Sequence, residues 1–336
     1  MKILAFGEVM MRLMPPDYKL IAQVDILEYL FTGTGVNVLS GLYQMGNEVF
    51  LATRLPDNSV GRAAAAQIRK LGINDKYINY GGNHIGIYFL EVGLGKRSSE
   101  VTYMNRKESS FGRSKIDHYD VDKILKNIDC LHLCGISLAL SSELRECVFN
   151  LASEAKRRGI TVIFDCNFRP SLWSDEDRKE VKGIYERILK LSDVVFAGEK
   201  DATLLLEIEK DENLSGINQL KYLLNVMREK YSIKNIFGTI RNNEGSTPKL
   251  QGYMLDENGF VLSNEQELFV YDRVGAGDAF TAGALHGLFS NKNREDIVEF
   301  ATCSSVLAHT TYGDAPILGV DKIERLMKNT YIDLIR

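Results

Sequence analysis

The sequence has no excess of charge of either sign and no long apolar run. Its 41 Lys and Arg residues nearly balance 45 Asp and Glu residues, which leaves a net charge of −4. Such a balance provides no basic field for nucleic acid or an anionic membrane. No stretch is apolar enough for a membrane span, and Glu8 and Arg12 interrupt the first apolar residues too early for a signal peptide. We therefore expect a cytoplasmic protein that acts on a small molecule.

Cysteine is also scarce. The five cysteines are an odd number without Cys-x-x-Cys spacing, so neither a disulfide framework nor a zinc site is predicted. Cys130, His132 and Cys134 alternate within an apolar strand-like segment and would share one face of it. Buried strand residues explain these three better than a metal site does.

A dinucleotide-binding glycine pattern is missing from the place where it belongs. Residues 3–6 form a short apolar run closed by Gly7, which predicts a buried strand that ends at a turn. The next residues, Glu8 to Arg12, contain no glycine, whereas a Gly-x-Gly-x-x-Gly turn would be required there. This absence argues against a nicotinamide-dependent oxidoreductase.

What the sequence does contain is an alternation of strand and helix patterns. Further strands are predicted at residues 49–53, 130–134, 161–165, 194–197 and 236–240. Helices are predicted from Gly35 to Gly46 and at residues 59–71, 142–158, 175–191 and 217–231. This order predicts a parallel sheet with helices on both faces, whose strand carboxyl ends form the ligand edge.

Two segments interrupt the alternation. Residues about 10–32 contain alternating polar and apolar positions, and residues about 84–110 contain a hairpin pattern between 85 and 103. Together they predict a small sheet that stands off the main one. On such a sheet Tyr88, Tyr103 and Arg106 would be either ordinary cross-strand neighbours or substrate contacts beneath a lid.

The stretch from Asp272 to Phe280, Asp-Arg-Val-Gly-Ala-Gly-Asp-Ala-Phe, carries the strongest chemical signal. Gly275 and Gly277 permit a turn whose amides face one point, and a helix is predicted from Asp278. The positive end of that helix favours an anion such as phosphate. A carboxylate at Asp278 suits a general base that deprotonates an attacking hydroxyl. By pattern alone, a tight turn with a capping Asp stays an equal alternative.

Two other polar positions are candidates. Arg169 follows the predicted strand at 161–165, where a planar guanidinium suits a carboxylate or phosphate, although a surface ion pair would explain it equally. Asn37 lies in the first turn of the helix after Gly35, beside bare backbone that a sugar hydroxyl could reach.

Residues 272–280 resemble the C-terminal signature of the ribokinase-like (phosphofructokinase-B type) carbohydrate kinases, with Arg273 where Thr is usual. Residues 33–46 are similar to the N-terminal signature of that family. The resemblance extends over essentially the whole chain. It implies one α/β domain over residues 1–336, with a three-layer ribokinase-like fold, a mostly parallel central sheet and a small β-sheet lid from about 10–32 and 84–110.

Within this family the likeness is greatest to 2-keto-3-deoxygluconate kinases, and it rests on residues 7–13, 86–91, 167–173, 272–274 and 309–314. It implies ATP-dependent phosphorylation of 2-keto-3-deoxygluconate at O6, with Mg²⁺, and a homo-oligomer that pairs through the lid. The Asn-x-Arg-x-x-Leu-Trp element at 167–173 also occurs in fructokinases, so a fructokinase or another sugar kinase stays an alternative. A non-catalytic sugar-binding module is a remote one, because Asp278 is present.

The resemblance also implies roles for individual residues. The catalytic group comprises Asp278 as base with Gly275, Ala276 and Gly277. The substrate is assigned to Gly33, Asn37, Tyr88, Tyr103, Arg106, Arg169, Asp278 and Asp314, and ATP to Asn167, Thr239, Arg241, Gly275 and Gly277. Two departures stand out. The spacing from Tyr103 to Arg106 is one residue longer than usual, and the Asn-x-x-Glu element associated with magnesium is replaced by residues 198–201, where Asp201 would act through water.

Overall fold

The computed structural model describes residues 1–243, 245 and 247–328, which form two β-sheets and the helices that cover them. In chain order the strands are β1 (Lys2–Phe6), β2 (Met10–Met14), β3 (Glu28–Thr32), β4 (Glu48–Leu55), β5 (Asn74–Tyr80), β6 (Gly86–Glu91), β7 (Glu100–Met104), β8 (Cys130–Cys134), β9 (Thr161–Asp165), β10 (Val194–Phe196), β11 (Asn235–Asn242), β12 (Lys249–Asp256), β13 (Gly259–Leu262) and β14 (Gln266–Glu267). The helices are α1 (Thr34–Gln44), α2 (Ser59–Lys70), α3 (Val121–Ile124), α4 (Gly135–Leu138), α5 (Ser142–Arg157), α6 (Val181–Leu189), α7 (Gly216–Tyr231), α8 (Ala276–Phe289), α9 (Arg294–Ala308) and α10 (Val320–Met327).

The large sheet has the strand order β13-β12-β11-β10-β9-β8-β1-β4-β5, with β14 paired to β12. All neighbours from β11 to β5 are parallel, whereas β12 runs antiparallel to β11, β13 and β14. Parallel strands end at the same edge of a sheet, so the loops after β1, β8, β9 and β10 meet there.

Helices cover both faces of the large sheet, and β1 shows how the sequence achieves this. Its side chains alternate, so that Leu4 and Phe6 join the apolar core under α5, α6 and α7. Ile3 and Ala5 join the core under α1, α2, α8, α9 and α10. A strand buried on both sides therefore reads as a continuous apolar run. The predicted three-layer α/β fold with a mostly parallel sheet is confirmed.

The small sheet has the order β3-β2-β6-β7 and takes two strands from each interruption of the β/α pattern. Strands β2 and β6 are parallel, while the outer strands β3 and β7 pair antiparallel with them. A separate apolar cluster of Met10, Met14, Tyr88 and Leu90 packs against Val274. The small sheet thus rests on the glycine turn that precedes α8.

Most predicted elements are confirmed, but one predicted helix begins later than expected and one strand was not predicted. The helix predicted at 175–191 begins only at Val181. A short 3₁₀ turn (Asp177–Lys179) precedes it, and the Ser174 hydroxyl accepts from the Asp177 amide at 3.1 Å and donates to the Asp177 carboxylate at 2.8 Å. Strand β5 was not predicted. Its sequence has few apolar residues, and in the structure only Tyr77 of its seven residues is buried.

Candidate active site

A cavity of about 670 Å³ lies between the carboxyl edge of the large sheet and the small sheet. This volume suits a small-molecule ligand. The predicted site residues that line the cavity are Gly33, Asn37, Tyr88, Tyr103, Arg106, Asn167, Arg169, Asp201, Thr239, Gly275, Gly277, Asp278 and Asp314. Tertiary structure therefore gathers residues that are up to 281 positions apart, the separation from Gly33 to Asp314.

The glycine turn is the entrance to α8. Gly275 has φ +82° and ψ −6°, a left-handed conformation that favours glycine. A Cβ on Gly275 would lie 1.7 Å from the Asp314 carbonyl oxygen, so the close approach of two segments also requires a bare Cα. Helix α8 then begins at Ala276, and its first amides lie at the cavity wall beside Gly277. The turn is built to receive an anion.

Asp278 lies in the first turn of α8 and faces the cavity. Its Oδ2 accepts a hydrogen bond from Asn37 Nδ2 at 2.7 Å. Burial raises the pKa of Asp278 to about 8; the Asn37 hydrogen bond opposes this shift, and the carboxylates of Asp165 and Asp314 add to it. A carboxyl group with such a pKa is poised to take up a proton near neutral pH. The two predicted family signatures, one in α1 and one at the start of α8, thus meet at Asp278.

Two further carboxylates, Asp165 and Asp201, also line the cavity. Burial raises the pKa of Asp165 to about 7, and the neighbouring Asp201 adds to the shift. Asn167 Nδ2 donates to Asp165 at 3.1 Å, while the buried Asn167 Oδ1 has no hydrogen-bond partner among the described residues. Two carboxylates and a free amide oxygen fit a hard cation such as Mg²⁺, which retains several waters and needs few protein ligands. The described residues contain no cluster of three potential ligands among His, Cys, Asp and Glu.

Asp314 is held by three donors. Arg12 forms a buried ion pair with Asp314 Oδ1, and Thr32 and Tyr88 donate their hydroxyls to Oδ2 at 2.7 and 2.8 Å. Arg12 also reaches Asp272 at 3.2 Å. Arg12 is fully buried and belongs to β2. Its side chain therefore links the small sheet to Asp272, just before the glycine turn, and to Asp314, which packs against Gly275. Sequence reasoning missed this role of Arg12, although an arginine within an apolar strand was a usable signal.

The two predicted anion-binding arginines differ in environment. Arg106 is 8% exposed, its Nε donates to Glu8 at 2.8 Å, and its guanidinium lies 4.9 Å from the centre of the Tyr103 ring. Arg169 is exposed, and it lies near enough to Asp165 and Asp278 to oppose the rise of their pKa values. Of these two arginines, Arg106 is buried and paired, whereas Arg169 is exposed.

Two predicted site residues are not among those that line the cavity, Arg241 and Ala276. Arg241 Nη2 lies 2.8 Å from His309 Nε2, and His309 Nδ1 lies 2.7 Å from the Ser305 carbonyl oxygen. Because arginine can only donate, Nε2 accepts from Arg241 and Nδ1–H donates to Ser305. Arg241 therefore contacts the residue that follows α9, and its assignment to ATP stays a prediction. Ala276 is buried and contributes backbone alone.

Some cavity residues were not predicted. Asp165, Lys200 and Arg273 line it, and each follows or ends an element at the ligand edge. Asp165 had a usable signal, since it ends β9 two residues before Asn167. Glu8 does not line the cavity, but its pairing with Arg106 brings it into the site.

An anion-binding helix entrance, a carboxyl base and a covering β-sheet at the edge of an α/β core define a phosphoryl-transfer enzyme of the ribokinase-like kind. Residues 1–318 match the pfkB family carbohydrate kinases, and the chain belongs to that family.

Several known proteins resemble this one over almost their full lengths. A structure from Enterococcus faecalis, provisionally assigned as a 2-keto-3-deoxygluconate kinase, is 40% identical with a TM-score of 0.96, and the match covers 100% of this chain and 98% of that one. The 2-dehydro-3-deoxygluconokinase of Thermotoga maritima is 34% identical with a TM-score of 0.92, covering 98% and 99%. A 2-dehydro-3-deoxygalactonokinase of Haloferax volcanii is 26% identical over 328 residues, covering 97% and 96%.

Within the described part of the chain, no helix combines the length and apolar character needed to cross a bilayer.

Proposed function

We propose that this enzyme transfers the γ-phosphoryl group of ATP to O6 of 2-keto-3-deoxygluconate, giving the 6-phosphate and ADP. One observation carries the proposal: the cavity holds Asp278 and the glycine turn together with Arg106, a buried guanidinium whose Nη atoms have no hydrogen-bond partner among the described residues. A base beside an anion site suits a hydroxyl that is phosphorylated, and a fixed guanidinium suits a carboxylate. The names of the Enterococcus and Thermotoga relatives support the same substrate.

In this mechanism Asp278 accepts the O6 proton. A bond forms between O6 and the γ-phosphorus as the bond from that phosphorus to the bridging oxygen of ADP breaks, and the proton goes to the Asp278 carboxylate. The amides of Gly275 to Asp278 stabilise the charge on the γ-phosphoryl oxygens. Asn37 orients the carboxylate through its 2.7 Å hydrogen bond and favours the ionised form.

The substrate carboxylate is assigned to Arg106 and Arg169. Arg106 supplies two directed donors and Arg169 supplies a mobile positive charge. Gly33, Tyr88 and Tyr103 line the same cavity and are assigned to the sugar backbone. A neutral hexose has no carboxylate to accept hydrogen bonds from the Nη atoms of Arg106 or to pair with Arg169, which argues against the fructokinase alternative. Asp314 lines the cavity and is also assigned to the substrate, although three protein donors already bind its carboxylate.

The nucleotide is assigned to the wall formed by Asn167 and Thr239. Asp165 and Asp201 would hold Mg²⁺, Asp201 through water, and the ion would neutralise part of the triphosphate charge. Asp201 already accepts from the Gly198 amide at 2.8 Å, which leaves one of its oxygens for a bound water.

We further infer that the enzyme is a cytoplasmic homodimer joined through the small sheet. Within the described residues, the outer strands β3 and β7 each have only one partner strand. Ile26, Tyr29 and Leu94, in or beside this sheet, are 71%, 60% and 58% exposed. Free strand edges with exposed apolar side chains favour pairing with a second copy.

A substrate panel tests the proposed reaction. ADP release is followed with 2-keto-3-deoxygluconate, its galactonate epimer, fructose and ribose, and ³¹P NMR of the product locates the phosphate. The galactonate epimer is the second candidate because of the Haloferax relative. We expect kcat/KM for a keto acid to exceed that for fructose by at least ~100-fold, since a site built for a polar group rejects analogues that lack it. Comparable turnover of fructose would refute the assignment, and Asp278→Asn serves as the inactive control.

A further inference from the structure

Glu8 is a buried carboxylate that the proposed mechanism does not use. It lies in the loop between β1 and β2, is 6% exposed and does not line the cavity. Its Oε2 accepts from Arg106 Nε at 2.8 Å, and its Oε1 lies 3.5 Å from the Ser109 hydroxyl. Glu8 therefore touches the substrate side of the cavity only through Arg106.

Glu8 binds Arg106 through Nε and leaves the two terminal Nη atoms available for a ligand. Glu8 engages Nε, and Tyr103 covers one face of the guanidinium with its ring centre 4.9 Å away. Among the described residues, no hydrogen bond is made by Nη1 or Nη2 of Arg106. These two nitrogens form the fork that binds a carboxylate with two parallel hydrogen bonds. Glu8 and Tyr103 thus define the direction in which the fork points.

Two glycines leave room for Glu8. A Cβ on Gly86, the first residue of β6, would lie 2.8 Å from Glu8 Oε1. A Cβ on Gly33 would lie 2.1 Å from the Glu8 carbonyl oxygen. A side chain on either glycine would therefore occupy space that Glu8 fills. The Glu8 carboxylate, buried and in contact with Ser109, thus offers Arg106 Nε an acceptor at a defined position.

We propose that Glu8 is a positioning residue, which aims the guanidinium of Arg106 at the carboxylate of the substrate. The inference rests on the proposed function, since it requires an acid substrate. Without an acceptor at this point, a buried guanidinium has no internal partner and turns toward water, which removes the fork from the cavity.

Two conservative substitutions separate position from charge. Glu8→Gln keeps an oxygen acceptor at the same reach but removes the charge. Glu8→Asp keeps the charge but draws the acceptor back by about 1.5 Å, the length of one carbon–carbon bond. We expect Glu8→Gln to stay within ~3-fold of the wild-type KM for the keto acid and Glu8→Asp to raise it by ~10-fold, the cost of one misdirected charge-assisted hydrogen bond. The KM for ATP should change by less than ~2-fold in both.

A double-mutant cycle completes the test. In an Arg106→Met background, Glu8→Asp should have no further effect on the KM for the keto acid, because residues that act through one another are not additive. The inference is overturned if Glu8→Gln is at least as damaging as Glu8→Asp, if neither changes the KM for the keto acid, if the KM for ATP rises in parallel, or if the effects multiply. The wild-type enzyme is assayed first: failure to phosphorylate the keto acid refutes the proposed function, whereas a normal wild type with any of these outcomes refutes only the role of Glu8.

Discussion

The raised pKa of Asp278 makes the strongest prediction, which concerns the pH dependence of turnover. A general base works only when ionised, and kcat/KM reports the ionisation of the free enzyme. With a pKa of about 8, Asp278 is ionised in roughly a tenth of molecules at pH 7 and a hundredth at pH 6. We therefore expect kcat/KM to rise about tenfold per pH unit below pH 7 and to level off above pH 8.

The perturbation that tests this reasoning is Asn37→Ala. Asn37 Nδ2 donates to Asp278 Oδ2 at 2.7 Å and lowers its pKa against the effect of burial. A hydrogen bond to a charged group contributes about 1.5 kcal/mol, or roughly one pKa unit. The acid limb of the profile should therefore move to higher pH by about one unit. Ionisation of ATP is common to both proteins, so the difference between them reports Asp278.

Thermal denaturation gives an independent reading of the same group. A raised folded-state pKa means that the folded protein binds more protons between about pH 4 and pH 8, so this group lowers stability as pH rises through that window. Asp278→Asn should therefore melt higher than wild type at pH 9, and the difference should vanish near pH 4, while its turnover falls by ~10²-fold or more. An acid limb below pH 6, or a profile that Asn37→Ala leaves in place, would refute the reasoning.

Three further predictions concern the turn, the substrate anion and the small sheet. Gly275→Ala should lower the melting temperature, because alanine in left-handed backbone costs about 1–2 kcal/mol before its overlap with the Asp314 carbonyl is counted. Arg169→Ala should raise the KM for the keto acid by roughly 10-fold or more, with little change for ATP, as measured by steady-state kinetics or calorimetry. Ile26→Glu should convert the proposed dimer to a monomer, as measured by light scattering, because a charge at this position opposes burial in an interface.

Matched controls are available for each. Gly277→Ala meets no atom within 4 Å and should reduce activity without a comparable loss of stability. Lys179→Ala removes an exposed cation outside the cavity and should leave both KM values unchanged. Leu204→Glu alters a residue with the same 71% exposure as Ile26 on another part of the surface and should keep the dimer. Equal effects in a variant and its control would contradict the corresponding prediction.

Much of the fold was predictable because it depends on neighbours in the chain. The continuous burial of β1, the glycine turn at Gly275 and the start of α8 follow from local pattern and backbone preference. The limits appear where local signals are weak. Strand β5 lacks an apolar pattern, and α6 begins later than its sequence suggested because a separate 3₁₀ turn, Asp177–Lys179, precedes it.

The site divides in the same way. The sequence alone predicted phosphoryl transfer, because the turn from Gly275 to Asp278 places a potential anion site and base within four residues and resembles a kinase signature. Only the tertiary structure revealed that Glu8 holds Arg106, that Arg12 joins Asp272 to Asp314, and that Arg241 turns to His309. Partners such as Arg12 and Asp314 are 302 residues apart. No periodicity or spacing relates residues at that distance, and burial of a charge selects its partner only once the sheets and helices have packed.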